Sequence, residues 1–305
     1  MVTARMRRLG REAHSEHVLI PAFNAAYLAM IEPICRGLVE LDCFGLVEVS
    51  RPDIERWGAK SIDAVAAEYR NWANPRHTGL HLDHVPVIDE EGHEVDWRGM
   101  IRSGLDCGYD SVMIDASRLD LEANISVTAE VVTTAAEVGV PVEAELGAVL
   151  GHEPGPLPDY EELFRSGLGF TAPAEAARFV QETGVDWLSV AVGNIHGAIA
   201  GAAADGPKVR ARLNIEHVRL LSEAANVPLV LHGGSGIPAE HILAAVREGV
   251  VKLNIGTEIR QAYERELRTS GSETSAQDAV AASVRQLADQ YGLAGTAGRL
   301  PSLSE

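Results

Sequence analysis

Length, composition and charge narrow the class of protein that this sequence encodes. The chain has 305 residues, of which 46% are hydrophobic and 23% are charged, so a core of ordinary size is available. Its 44 acidic residues outnumber 26 basic ones and give a net charge of −18, which argues against nucleic acid or an anionic membrane as a partner. A small anionic substrate stays compatible with this charge if the site supplies its own positive field.

The cysteines and the N-terminal segment indicate the compartment. Cys35, Cys43 and Cys107 include no closely spaced pair, which predicts neither a disulfide framework nor a cysteine zinc site and fits a reducing cytoplasm. Residues 1–17 are basic but lack the apolar run of a signal peptide, and no apolar run in the chain has the length of a membrane span. We therefore expect a cytoplasmic protein.

Strands and helices alternate along the predicted chain. Short apolar runs bounded by Gly, Pro or polar residues predict strands at residues 17–24, 44–50, 79–85, 111–117, 141–147, 187–193, 228–234 and 250–257. Helical periodicity lies between them, for example at residues 25–41, 124–139, 174–184, 214–226 and 239–249, and several of these segments end in Gly or Asn.

Eight such units in roughly 250 residues predict a (β/α)8 TIM barrel, an α/β fold with a parallel sheet. The alternative is an open doubly wound sheet, which would require a glycine fingerprint after its first strand, and the sequence PAFNAAY there is not one. No linker or low-complexity segment is visible. We therefore expect one domain over residues 1–305, with helical N- and C-terminal extensions, the latter beginning after about residue 258.

Polar residues stand at nearly every predicted strand end, where TIM barrels carry their chemistry. Three of them, His84, His196 and His232, follow strands three, six and seven, and three imidazoles around one axis can hold zinc with a fourth position open. His81 lies three residues before His84 and is interpreted instead as an internal hydrogen-bonding residue. The other polar or glycine positions at these ends are Asn24, Ser50, Asp83, Asp115, Ser117, Glu145, Gly197, Gly233, Ser235, Asn254, Gly256 and Thr257.

Glycine-rich turns follow the last two strands, in the sequences HGGSG and NIGT. Glycine lets an anion approach backbone N–H groups closely, and the Ser235 and Thr257 hydroxyls can add hydrogen bonds. HGGSG alone is equally compatible with a tight turn, but with NIGT in the neighbouring loop a phosphate site is favoured, because barrels commonly bind phosphate there.

The chain resembles the class II, zinc-dependent ketose-bisphosphate aldolases, the fructose- and tagatose-bisphosphate aldolase group. The matching segments run in the order of that family over roughly residues 17–265; they are PAFN, LHLDH, GYDSVMIDAS, GVPVEAELGAVLGHE, TGVDWLSVAVGNIHG, VPLVLHGGSGIP and VVKLNIGTEIR. Such a set is specific for the superfamily and much less so for the substrate.

The resemblance implies a zinc-dependent, reversible aldol cleavage that yields dihydroxyacetone phosphate, or a close analogue, and an aldehyde through an enediolate. It implies that His84, His196 and His232 bind zinc, with Glu145 and Asp115 as a candidate second metal site. Asp83 would be the acid/base at the C4 hydroxyl, and Glu153 would exchange the enediolate proton. The residues expected to hold substrate and phosphate are Asn24, Ser50, Gly197, Gly233, Ser235, Asn254, Gly256 and Thr257.

Further expectations from the resemblance concern cofactors, partners and lysine chemistry. A monovalent cation near the phosphate site is a second cofactor candidate, the partner is a small sugar phosphate, and the assembly is a homodimer or homotetramer. No Schiff-base lysine is needed; Lys252 is the one lysine that such a mechanism could use, and in the family this position is an ordinary lysine.

Two departures from the family pattern bear on the substrate. Val85-Pro86 replaces a glycine and opens an insertion over residues 85–99 that contains five carboxylates, and Ala200 stands where the family usually carries a lysine near the phosphate pocket. Both favour an aldehyde half that is not phosphorylated, although loop drift or packing on a neighbouring subunit would also explain the insertion. Two other functions stay open, a metal-dependent sugar-phosphate epimerase or isomerase and a barrel without catalysis.

Overall fold

The computed structural model describes residues 3–147, 160–194, 211–234 and 236–302. Eight parallel strands form a closed barrel in sequence order, which confirms the predicted fold. The closing pair joins the first and eighth strands, with Ala22 opposite Asn254. The strands are β1 Ile20–Asn24, β2 Gly45–Val49, β3 Thr78–Pro86, β4 Ser111–Asp115, β5 Val142–Leu146, β6 Trp187–Val190, β7 Leu229–Leu231 and β8 Val250–Ile255.

The helices surround the barrel, and most end where the sequence predicts. Gly184 and Asn226 adopt left-handed backbone angles that stop two of them, as expected for Gly and Asn after a helix. The helices are α1 Thr3–Ser15, α2 Ile31–Glu40, α3 Arg51–Arg56, α4 Ile62–Trp72, α5 Trp97–Asp106, α6 Leu121–Ala136, α7 Tyr160–Ser166, α8 Pro173–Thr183, α9 Ile215–Ala225, α10 Ala239–Arg247, α11 Thr257–Ser270 and α12 Glu273–Tyr291.

Helix α1 closes the end of the barrel where the strands begin, which we call the N-terminal pole. Its buried residues Met6 and Leu9 join a cluster with Trp187 of β6 and with Leu300 from the far end of the chain. At the C-terminal end, α11 directly follows β8 as the eighth barrel helix. The C-terminal extension therefore begins with α12, later than the predicted residue 258.

None of the helices in the described ranges is long and apolar enough to cross a membrane.

Candidate active site

An irregularity in β3 positions two neighbouring side chains at the end of the barrel where the strands finish, the catalytic face. Side chains alternate between the faces of a regular strand, so consecutive residues would point apart. Here the register to β4 shifts between Leu82 and Val85, and His84 has a left-handed φ of 39°, which is strained for a residue other than glycine. As a result Asp83 and His84 belong to one group of closely spaced ligand atoms with His232.

Two amides hold the buried carboxylate of Asp83. Asn24 donates to its Oδ2 at 3.1 Å and Asn254 to its Oδ1 at 2.8 Å. Burial alone would raise the pKa of Asp83, but the positive charges of His84 and Lys252 outweigh it and hold the pKa well below its usual range. Asn24 and Asn254 were predicted to bind substrate; the structure places both amides on Asp83, so they orient this carboxylate whatever else they contact.

His84 and His232 face each other, and a carboxylate lies behind each ring. The Nε2 of His84 is 2.5 Å from the Nδ1 of His232. The Nδ1 of His84 lies 3.4 Å from Asp115 Oδ2, and the Nε2 of His232 lies 2.8 Å from Glu143 Oε1. A carboxylate that holds the far nitrogen of a histidine is the usual support of a metal ligand.

These residues fit a divalent metal ion by the chemistry of their donor set. The Nε2 of His84 and the Nδ1 of His232 converge, and nearby carboxylates favour positive charge at this point. Burial alone would lower the pKa of His84, but Asp83 and Asp115 raise it to about 10, so a metal ion would take the place of a proton. The third predicted ligand, His196, lies outside the described residues.

The residues of the predicted second metal site lie close together, and the site itself stays a prediction. His84, Asp115 and Glu145 bring ligand atoms within 4.8 Å of one another. Asp115 accepts hydrogen bonds from the backbone N–H and hydroxyl of Ser117, whereas the buried Glu145 side chain receives, among the described residues, a long contact of 3.5 Å from the hydroxyl of Ser189. Burial, reinforced by the charge of Asp115, raises the pKa of Glu145 well above its usual range.

The predicted phosphate loops follow β7 and β8 as expected, but only part of them is described. Gly233 has a left-handed φ of 68°, and Thr257 is the first residue of α11. A Cβ on Gly256 would lie 2.9 Å from the Asn24 side-chain oxygen, so this glycine leaves room for the Asn24 amide. Ser235, Gly197, Ala200 and Glu153 lie outside the described residues.

Ser50 and Asp53 form a buried pair at the end of β2, where the chain enters α3. Asp53 Oδ2 accepts from the backbone N–H of Ser50 at 2.8 Å and from its hydroxyl at 2.6 Å. Asn24 makes a further contact with the same oxygen at 3.4 Å. The sequence predicted Ser50 as a substrate residue but gave no role to Asp53.

A charged network inside the barrel was missed by the sequence analysis. Lys252 Nζ lies 2.9 Å from Glu143 and 3.2 Å from Glu48, and all three side chains are buried. Burial alone would lower the pKa of Lys252, but the two carboxylates outweigh it and keep the amine protonated, which suits a structural lysine. His81 accepts or donates a hydrogen bond at 2.7 Å to Ser111, as the sequence interpretation expected of an internal residue.

Strand periodicity was the signal that could have found this network. Residues two apart share one face of a strand. Each residue of the network stands two positions before a predicted site residue, in the pairs Glu48 and Ser50, His81 and Asp83, Glu143 and Glu145, and Lys252 and Asn254.

The insertion after β3 is an ordered hairpin, residues 87–95, pinned to the catalytic face. Ile88 pairs antiparallel with Glu94, and the buried Asp89 accepts from the backbone N–H groups of Glu91 and His93. Asp89 also lies 3.2 Å from the guanidinium of Arg51.

Two of the five acids of the insertion are paired with arginines of α3, which corrects the expectation that all five carboxylates are available to repel a phosphate. Glu90 lies 3.8 Å from Arg56, and Asp96 caps α5 by accepting from the N–H of Gly99. Asp89 is paired with Arg51, and the exposed acids of the segment are Glu91, Glu94 and Asp96.

Comparison with known proteins identifies relatives along nearly the whole chain. Residues 4–298 match the family described as fructose-bisphosphate aldolase class-II. The 6-phospho-5-dehydro-2-deoxy-D-gluconate aldolase of Bacillus velezensis is 32% identical over 97% of this chain and 98% of its own length. The fructose-bisphosphate aldolase of Streptococcus pneumoniae is 38% identical over 66% of this chain and 59% of its own length.

Solved structures of aldolases share the fold of this chain. The YdjI aldolase of Escherichia coli K12 superposes with a TM-score of 0.75 at 27% identity, covering 96% of this chain and 98% of that one. A putative fructose-1,6-bisphosphate aldolase from Coccidioides immitis superposes with a TM-score of 0.76 at 25% identity, covering 98% and 99% of the two chains.

Proposed function

Because this chain belongs to the class-II fructose-bisphosphate aldolase family, we propose that it is a zinc-dependent aldolase that cleaves a phosphorylated ketose. The products are dihydroxyacetone phosphate, or a close analogue, and an aldehyde, and the reaction is reversible. The single observation that carries the proposal is the buried, ionised Asp83 held by two amides beside the paired imidazoles of His84 and His232.

In cleavage, the Asp83 carboxylate takes the proton of the C4 hydroxyl as the carbon–carbon bond breaks. In condensation it returns that proton to the aldehyde oxygen. Asn24 and Asn254 fix both oxygens of Asp83, so the carboxylate needs little reorganisation to meet the hydroxyl. Glu153, which the family resemblance assigns to the enediolate carbon, would exchange the second proton.

His84 and His232 would hold the metal ion, with His196 as the third ligand. When bound, the ion supplies Lewis-acid stabilisation of the negative charge that develops on the substrate oxygens. Asp115 and Glu143 keep the two described imidazoles in the orientation and tautomer that this binding needs.

We further propose that the aldehyde half carries no phosphate. The Bacillus velezensis relative, which is similar along its whole length, is named for a sugar acid with one phosphate group. A substrate with a single phosphate therefore occurs among the relatives of this chain. The predicted phosphate loops after β7 and β8 would bind that one phosphate on the dihydroxyacetone side. Assembly as a cytoplasmic homodimer or homotetramer and a monovalent cation near the phosphate remain predictions.

Detection of dihydroxyacetone phosphate tests the proposal. The zinc-loaded enzyme is given a panel of ketose mono- and bisphosphates, and a coupled reductase reports carbon–carbon cleavage. Asp83→Asn should fold normally and retain zinc but lose about 10²–10⁴-fold in turnover, the usual worth of a general acid/base. Treatment with a chelator should abolish activity, and zinc should restore it.

An isomerase or epimerase on the same barrel would give a different result. It would convert the sugar phosphate without releasing dihydroxyacetone phosphate, and it would not depend on a proton at an aldehyde oxygen. Conversion without cleavage, or near-normal turnover of Asp83→Asn on the true substrate, would therefore overturn the aldolase proposal.

A further inference from the structure

The hydroxyl proton of Ser50 is already committed within the protein. A serine hydroxyl has one hydrogen to donate and lone pairs to accept with. Ser50 donates that hydrogen to Asp53 Oδ2 at 2.6 Å, and the same oxygen takes the backbone N–H of Ser50. Toward any other group, Ser50 Oγ can therefore act only as an acceptor.

We propose that Asp53 is a specificity-determining residue, which fixes Ser50 as an acceptor and so selects an aldehyde half ending in a hydroxyl over one ending in phosphate or carboxylate. This inference rests on the proposed function, because it concerns the aldehyde half of the aldol reaction. Anionic oxygens are acceptors and need donors around them. A substrate hydroxyl, in contrast, can donate directly to Ser50 Oγ.

The position of the pair in the barrel fits the aldehyde half. The predicted phosphate loops follow β7 and β8, whereas Ser50 directly follows β2, next to the strand that carries Asp83. Asn24 links the two, since its amide contacts Asp83 at 3.1 Å and Asp53 at 3.4 Å. A substrate that runs from β7 and β8 past Asp83 reaches Ser50 with its aldehyde end.

The charges near Ser50 also disfavour an anion. Asp53 is buried, and burial raises its pKa to about 6, although the hydrogen bonds from Ser50 act in the opposite direction. The Asp53 carboxyl is therefore mainly ionised at pH 7.5. Arg51 is the nearest cation in sequence, but its guanidinium contacts Glu55 at 2.6 Å and Asp89 at 3.2 Å. Two carboxylates thus offset the one positive charge, and the hairpin contributes by holding Asp89 in place.

Asp53 also belongs to a capping box at the start of α3, and that role alone would affect stability only. A role in substrate selection would change the preference of the enzyme among aldehydes, whereas helix capping alone would not. The aldehyde preference is therefore the quantity to measure.

The first experiment uses the wild-type, zinc-loaded enzyme in the condensation direction. Dihydroxyacetone phosphate is offered with glyceraldehyde or with glyceraldehyde 3-phosphate, which differ only in the phosphate, and with an aldehyde that bears a carboxylate. We expect kcat/KM to be at least about tenfold higher for glyceraldehyde than for either anionic aldehyde. A preference for glyceraldehyde 3-phosphate or the carboxylate would overturn the inference while leaving the aldolase proposal intact. Absence of condensation with every aldehyde would overturn both.

The second experiment compares Asp53→Ala with Asp120→Ala. Both remove an aspartate from the start of a helix, but Asp120 caps the exposed start of α6, where its side chain accepts from the N–H of Ala123, and it contacts none of the described site residues. Asp53→Ala should free the Ser50 proton and move the ratio of kcat/KM for the two glyceraldehydes at least about tenfold toward the phosphorylated one. Asp120→Ala should leave the ratio unchanged.

If Asp53→Ala does not fold, Ser50→Ala replaces it as the test variant. Its ratio of kcat/KM for the two glyceraldehydes is then compared with that of the wild type. Loss of the hydroxyl acceptor should reduce kcat/KM for glyceraldehyde and erase the preference. An unchanged ratio in a folded Asp53→Ala or Ser50→Ala variant would assign the pair to helix capping alone.

Discussion

At the scale of single residues, the imidazoles of this site depend on carboxylates that sit inside the barrel. Glu143 contacts His232 at 2.8 Å with one oxygen and Lys252 at 2.9 Å with the other. Burial alone would raise the pKa of Glu143, but Lys252 and the hydrogen bond of His232 lower it to about 2, so it stays ionised over the working pH range. The charge of Glu143 is thus held where it orients the ring of His232, a proposed metal ligand.

Replacing this carboxylate should weaken the metal site without removing a ligand. Glu143→Gln keeps the shape but loses the charge behind His232, and loss of such a partner typically lowers metal affinity about 10–100-fold. Competition of the apoenzyme with a chromogenic chelator for zinc measures the change. Glu137→Gln, an exposed glutamate just after α6, is the matched control. Equal affinities for the two variants would show that Glu143 serves only to neutralise Lys252.

At the scale of elements, the inserted hairpin depends on one buried side chain. Asp89 Oδ1 accepts from the N–H groups of Glu91 and His93, and Asp89 Oδ2 meets Arg51 of α3. Asp89→Ala should therefore loosen the hairpin, because both N–H groups lose their side-chain acceptor. Hydrogen exchange of the Glu91 and His93 amides should become at least about tenfold faster, since local openings set exchange rates.

Glu91→Ala is the control for the hairpin, because the Glu91 side chain is exposed and its removal leaves the Asp89 contacts in place. Unchanged exchange in Asp89→Ala would mean that the strand pairing of the hairpin holds these amides without Asp89.

The strands and their ends show which parts of the fold and of the site could be predicted from the sequence. Apolar runs and polar strand ends predicted the barrel and brought Asp83, His84, Asp115, Glu145 and His232 together, because parallel strands finish on one face. The sequence could not predict the bulge at His84, since its left-handed backbone arises from pairing with β4, a long-range contact. Nor could it show that Arg51 and Arg56 approach Asp89 and Glu90 of the insertion, because those contacts also form only in the folded chain.

At the scale of the whole molecule, Asp110 makes stability depend on pH. It accepts from the N–H of Leu80 at 2.8 Å near the N-terminal pole, and burial raises its pKa to about 6 against that hydrogen bond. The unfolded value is about 3.9. The folded state therefore keeps the Asp110 proton to a higher pH than the unfolded state does. As a consequence, the contribution of Asp110 to the free energy of unfolding falls as the pH rises from about 4 to about 6.

Asp110→Asn should remove this fall and retain an acceptor oxygen for the Leu80 N–H. Relative to wild type, the free energy of unfolding of the variant should rise by roughly 1–2 kcal/mol between pH 5 and pH 7.5. Urea unfolding at the two pH values measures it, with Asp106→Asn, an exposed aspartate at the end of α5, as the control. A difference from wild type that does not change with pH would contradict the assignment.

The closure of the N-terminal pole has a practical consequence for handling the protein. Helix α1 and the segment near Leu300 meet beneath the barrel, where Arg299 bonds to the carbonyl of Glu16 and Arg76 to that of Leu300 at 3.2 Å. Both ends of the described chain thus lie at the pole opposite Asp83, His84 and His232. A bead, electrode or fused carrier attached through either end would be held at the pole opposite these residues, and the proposed site would face the solution.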